Sequence, residues 1–437
     1  MSESKPTPKK QRISWPLWLW VGVLCFVRGA MLVAVVLIAM LMCKRLGMSD
    51  TWASAAMAAL LLPVVARPLY ARLLRGMGDA KRWIVGTEAL FAVAMMEVAS
   101  VVTAQSWQIK VWLWLLVAAL AWAVHGVAAD EMCFGQLKGR RRKNVVNSAY
   151  VYVVAVMIAG GMMLMMAGNV EVLGIGNVEV TETELGAAWS SAYKLVAAIV
   201  VACMALLLLS LPNHPMESDT HKRRLGKEWP KHLAVLVRRP EARQFAAMTI
   251  LFVLAQGFVV MGVPMFISSP ANIGGLALGP QEAAFAFFTV GIMAFAFGLA
   301  GGLSMVGKKG MRRLMWPMAL MVAIPDAIYV YLAFSMTSDL AVVSLCLMVE
   351  HLLCGIGMAA LMTYLLNFCQ EGDARRRFHV CVSAVAAMLL LGGLLTGALQ
   401  DYLGYRKFFT LLFAFAIGIL MVIFWIKPLE SEEEEKD

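Results

Sequence analysis

The chain alternates between long apolar runs and short polar connections, and the runs are close to one another in length. Windows of about 20 residues, set against a hydrocarbon core roughly 30 Å thick, pick out helices able to cross a bilayer. Twelve are predicted, near 15–42, 51–70, 83–103, 110–134, 145–168, 188–211, 245–267, 281–303, 314–336, 339–368, 378–403 and 405–426. They are expected to be helical because lipid offers the backbone no hydrogen-bond partner, and no run alternates with the two-residue period of a barrel strand. The longest polar stretch, Pro212 to Arg243, falls after the sixth run. It divides the chain into a first half (1–211), a cytoplasmic linker (212–243) and a second half (244–437). Within the linker, Lys227 to Arg239 can form a short amphipathic helix on the membrane surface.

Composition agrees with the pattern. Of 437 residues 61% are hydrophobic and 15% charged, and mean hydropathy is +0.75, far more apolar than one globular core requires. The expected class is an all-α, multi-pass membrane protein. Basic residues set its orientation. With the N-terminus inside, the tails and inner connections hold 30 of the 38 lysines and arginines, whereas the outer connections hold Lys44, Arg45, Lys110, Lys194, Arg406 and Lys407. Both termini are therefore expected in the cytoplasm. The clusters Arg140 to Lys143 and His221 to Arg224 read as topology determinants touching anionic lipid, so the +10 net charge points to membrane and not to nucleic acid. Met1 to Arg12 lacks a cleavage site and reads as a cytoplasmic tail, and Glu430 to Asp437 as a solvated acidic one.

Several chemistries are excluded. The eight cysteines are scattered without CxxC pairs or ligand spacing, which predicts buried thiols and no metal. No HExxH, GxSxG or P-loop is present, so neither an intramembrane enzyme nor direct ATP drive is expected, and no cofactor.

The connection after the second run, Leu74 to Arg82, has a counterpart after the eighth, Val306 to Arg313; both are short, basic and glycine-bearing. Six plus six runs, a long central loop and these matched turns resemble the major facilitator superfamily, whose two halves are related by repetition. Closer motifs are His125-Gly126-Val127-Ala128-Ala129-Asp130, Glu350 through Ala360, Arg67-Pro68-Leu69-Tyr70 and Gln400 through Tyr405. They look like the AmpG-type muropeptide permeases and the related branch that includes acetyl-coenzyme A transporters. Two departures stand out. The family pairs two aspartates in the fourth span, where this chain keeps Asp130 and has Gly126 in place of the first. It also places an aspartate in the turn after the second span, where this chain has Arg75.

The resemblance implies that the first, fourth, seventh and tenth spans line a central cavity. Each carries a polar residue at depth: Arg28, His125, Gln256, and Glu350 with His351. An ionisable group inside a membrane is costly, roughly 2.5–3.5 kcal/mol on insertion scales, and is a functional candidate by default. Arg28, His125, Gln256 and His351 are the expected solute contacts, with Glu350 and His125 as proton-coupling groups. Arg28 can also pair with Glu350 in one conformation. Arg67, Arg75, Asp79 and Asp130 are the expected gate; Glu88, Glu97 and Asp326 are further proton or packing candidates, and Asp130 and Glu131 can meet the basic inner turns. The implied function is a monomeric secondary transporter of the bacterial cytoplasmic membrane. It would import a bulky, partly anionic, muropeptide-like small molecule with protons by alternating access. A siderophore or acyl-coenzyme-like solute is the alternative, or a transport-inactive sensor or scaffold, since Arg75 alters the gate.

Overall fold

The computed structural model describes residues 15–74, 77–104, 106–136, 151–165, 167, 182–213, 216, 240–369 and 374–421. Arg75, the clusters at Arg140 to Lys143 and His221 to Arg224, the Lys227 to Arg239 segment and both tails lie outside these residues.

The described chain is nearly all helix. Helix α1 runs from Trp15–Leu32 through a π-helical stretch, Val33–Ile38, into Ala39–Arg45. Helix α2 is a bent pair, Asp50–Val65 and Arg67–Leu74, at 42°. Then come α3 (Ala80–Val101), α4 (Trp107–Gln136), α5 (Val151–Met165) and α6 (Glu182–Ser210). The second half begins with α7, made of Pro240–Thr249, a π stretch Ile250–Leu254 and Ala255–Ser268. Helix α8 joins Pro280–Ala283, a π stretch Ala284–Gly291 and Ile292–Lys309. Helix α9 runs Met311–Ala323, Ile324–Asp326 as a 3₁₀ turn, and Ala327–Ser335, followed by α10 (Leu340–Phe368). The continuous stretch Ala374–Leu420 breaks at Gly404, whose φ of +72° only glycine adopts freely, giving α11 (374–403) and α12 (405–420). These twelve helices account for the twelve predicted crossings. Among the described residues nine continuous helices, Arg375–Leu420 taken as one, are long and apolar enough to cross a bilayer; the bent α2 pair makes a tenth, α5 is a shorter apolar helix, and the break at Gly404 divides Arg375–Leu420 in two.

Each half packs on itself: α3 against α4 and α6, and α10 against α8 and α9. Between halves α2 lies along α11. Small residues allow the close approach that lipid-embedded helices need for van der Waals contact. A Cβ on Gly257 of α7 would come within 2.8 Å of the Met388 carbonyl on α11, so that pair meets backbone to backbone. Other glycines sit at such contacts, with Gly298 and Gly302 against α10, Gly397 against α2 and Gly160 against the Phe288 ring.

Candidate functional site

At the end of the bundle expected to face the cytoplasm, ions tie the halves. Pro68 occupies the first turn of the second α2 segment, where its missing N–H costs nothing. The bend there carries Arg67 inward, 3% exposed. One carboxylate, Asp130 of α4, receives two guanidiniums: Arg28 Nη1 donates to Oδ1 at 2.9 Å, and Arg67 Nη2 donates to Oδ2. Arg67 Nη2 also donates to the Gly126 carbonyl at 2.7 Å. A Cβ at Gly126 would lie 3.3 Å from Arg67 Nη1, so the missing side chain makes room for this cation.

The same guanidinium crosses to the other half. Its Nε donates to Nδ1 of His379 on α11 at 3.1 Å, which requires the neutral ring with its proton on Nε2. That proton faces Glu131 Oε1 at 3.7 Å, while Glu131 Oε2 accepts from Arg375 Nη1 at 3.2 Å. Ser383 of α11 donates to the Val65 carbonyl at the α2 bend. Arg67 and Asp130, two of the expected gate residues, therefore meet each other at this end. Asp79, by contrast, caps α3 by accepting from the Lys81 N–H at 2.7 Å.

The opposite end is held by hydrogen bonds around a different carboxylate. Asp50 begins α2, is 1% exposed, pairs with Lys44 through Oδ1 and accepts from the Tyr405 hydroxyl at 2.9 Å through Oδ2. Tyr405 meets Ser269, just past the end of α7, at 2.8 Å. The Thr51 N–H and hydroxyl donate to Asp401 Oδ2 at 3.0 and 2.6 Å, and Arg45 Nη2 donates to the Leu278 carbonyl at 2.7 Å. The halves are therefore joined at both ends. Nothing in the sequence pattern distinguished Asp50, Tyr405 or His379 as partners across halves, whereas Glu131 meets Arg375 of the basic stretch that opens α11.

Between the ends lies a cavity of about 260 Å³. Leu32, Val36 and Leu37 of α1, Leu61 of α2, Tyr152 and Val156 of α5, Gln256 and Val260 of α7, Phe287 and Phe295 of α8, Glu350, His351 and Cys354 of α10, and Leu389 of α11 line it. Three of the sequence-predicted residues, Gln256, Glu350 and His351, meet here. The π stretches of α1 and α8 also supply wall residues, a local irregularity often found at functional sites. Gln256 Nε2 and Glu350 Oε2 are buried without a hydrogen-bond partner. His351 Nδ1 lies 2.5 Å from Glu350 Oε2, yet its bond runs along its own helix to the Leu347 carbonyl at 3.0 Å.

Two predicted solute contacts lie elsewhere. His125 is fully buried in the first half, with Nε2 3.0 Å from Glu88 Oε1 on α3. Arg28 belongs to the Asp130 cluster, so its partner here is that aspartate and not Glu350; Tyr152, which walls the cavity, is within its electrostatic reach. Of the remaining candidates, Glu97 is half-buried and meets the Ser100 hydroxyl at 3.4 Å. Asp326, in the 3₁₀ turn of α9, has both carboxylate oxygens buried and unpartnered. The nearby turn packs on α10, which places Asp326 and Tyr329 within electrostatic reach of Glu350.

This arrangement is that of a multi-pass membrane protein with the major facilitator superfamily fold, and comparison with solved structures agrees. The chain is similar to the nucleoside transporter NupG (13% identity, TM-score 0.63), covering 94% of this chain and 100% of that one. It is similar to a D-xylose-proton symporter at 12% identity and TM-score 0.68, covering 95% and 97% of the two chains. A transporter of the POT family, solved with 5-aminolevulinic acid, aligns at 13% identity and TM-score 0.66 over 93% and 95%. No protein-family model matches the chain, and no curated protein matches it by sequence.

Proposed function

We propose that the chain is a secondary transporter, not an enzyme, that moves a small solute by alternating access and couples it to protons at Glu350. One observation carries this reading: a cavity at the junction of two six-helix halves has a separate set of inter-half bonds at each end, ionic at one and hydrogen-bonded at the other. Releasing either set alone opens the cavity to one side. Glu350 is 2% exposed and lines the cavity, so it is placed to exchange a proton with whichever side the cavity opens to. The expected setting is the bacterial cytoplasmic membrane, with the ionic end and both termini inside, supported by the distribution of basic residues.

The bulky, partly anionic muropeptide rests on motif resemblance. The cavity supports a smaller solute better, because about 260 Å³ falls below the usual 300–1,000 Å³ of sites for drug-sized ligands.

Cys354 tests the reading without a known substrate, since it lines the cavity and is 5% exposed. In a background lacking the other cysteines, a membrane-impermeant maleimide should modify Cys354 slowly from either side of sealed membranes. Modification from one side only, or from neither, would contradict alternating access and favour a static scaffold.

A further inference from the structure

The cavity wall is chemically one-sided. Among the described residues lining it, Glu350 is the one formal charge at neutral pH apart from a chargeable His351, and there is no lysine or arginine. The guanidinium expected as a solute contact, Arg28, is engaged elsewhere, on Asp130. Most of the remaining wall is aliphatic, with Tyr152, Phe287 and Phe295 adding aromatic faces. Such faces attract cations and repel anions.

The polar atoms present point the same way. Glu350 Oε2 is buried with no hydrogen-bond donor, its nearest charge partner is His351 Nδ1 at 2.5 Å on the same helix, and that nitrogen bonds the Leu347 carbonyl. Apart from His351 on its own helix, no cationic side chain in the described lining answers a Glu350 carboxylate. An anionic solute would meet an uncompensated charge in a dry site, where like charges cost several kcal/mol. A compact solute with a positive head would offset it, its apolar body filling the aliphatic wall.

We propose that this cavity binds a compact amphipathic cation, an ammonium group on an apolar or aromatic body, with Glu350 as counter-ion, and that cation and proton occupy Glu350 alternately. The exchange half of this inference rests on the transporter reading; the binding half does not. When the cation enters, the Glu350 carboxyl proton leaves to solvent and the carboxylate pairs with the ammonium. When the cation departs, a proton returns. One positive charge replaces another, so the natural cycle is antiport of cation against proton rather than symport.

Other titratable groups bear on Glu350. On α10 itself these are His351 and Cys354, and α9 brings Asp326 and Tyr329 within electrostatic reach. Tyr152 of α5 faces the same cavity, while α1, α2, α7, α8 and α11 add no titratable side chain to the described lining. A protonated His351 would also repel a cation, so its contribution has the same sign and must be separated by mutation.

The test is calorimetric binding to the purified full-length chain in detergent. Benzyltrimethylammonium serves as a permanent cation, phenylpropionate as the anion and N-benzylacetamide as the neutral body. The cation should bind and the other two should not. Its affinity should fall about tenfold per pH unit on the acid side, with close to one proton released per cation in weak buffer, as linkage requires. Glu350→Gln should lose the cation by at least about tenfold and release no proton. Glu350→Asp, which keeps the charge, should restore both and so guards against misfolding of the first variant. His351→Gln should still release the proton. Preference for phenylpropionate, absence of cation binding, or proton release that survives Glu350→Gln would overturn the proposal. A second arm loads proteoliposomes and imposes a pH gradient. Cation binding without gradient-driven movement upholds the site and overturns the transporter reading; anion movement upholds the transporter and overturns the cation site.

Discussion

Two of the buried glutamate–histidine pairs among the described residues do different work. Glu88 and His125 come from separate helices, are both 0% exposed, and meet at 3.0 Å. Their contact fastens α3 to α4. Glu350 and His351 are adjacent on one helix, so no contact between them can hold two elements together. The imidazole bonds back to its own helix, and the carboxylate faces the cavity with 2% exposure. Residue type and burial are nearly the same in both cases. What separates a packing pair from a candidate site is whether the acid's charge is answered by the fold or left for something that enters.

The contrast can be broken at several points. The largest effect is expected from His125→Leu, which leaves Glu88 buried without its partner. Removing one member of a buried pair costs about 3–5 kcal/mol, and thermal unfolding in detergent should show it. The pH response measured per folded molecule should persist, and its loss would move His125 from packing to coupling. Asp130→Asn should come next. It leaves Arg28 and Arg67 facing each other, costs roughly 2–4 kcal/mol of the closed ionic end, and should speed Cys354 modification from the expected inner side alone. At the other end, Tyr405→Phe removes a single hydrogen bond to Asp50, worth about 1 kcal/mol. Modification from the outer side should rise about fivefold, with the inner rate unchanged.

Much of the fold was legible because bilayer thickness sets run length and basic residues mark connections, both one-dimensional signals. The depth of polar residues was legible for the same reason, and it led to Gln256, Glu350 and His351. What depth does not give is rotation about the helix axis. Helices α4 and α10 are apolar nearly all round, so His125 could equally have faced the cavity or α3; packing turned it to Glu88. Partners across the halves were illegible for a further reason. Arg67 meets His379, and Asp50 meets Tyr405, more than 300 residues away along the chain. Gly126 shows how a local departure acquires meaning only in three dimensions, since its missing side chain admits the Arg67 guanidinium.

The central claim joins alternate opening of the two ends to the proton on Glu350, and pulsed electron–electron resonance tests both parts at once. Spin labels at Leu73 and Arg376 report the ionic end, and labels at Trp52 and Tyr402 the hydrogen-bonded end; all four side chains are exposed. A change of pH should lengthen one distance as the other shortens in the native chain, and Glu350→Gln should hold a single distribution at every pH. Distances that fail to change reciprocally, or a pH response that survives in Glu350→Gln, would contradict the account.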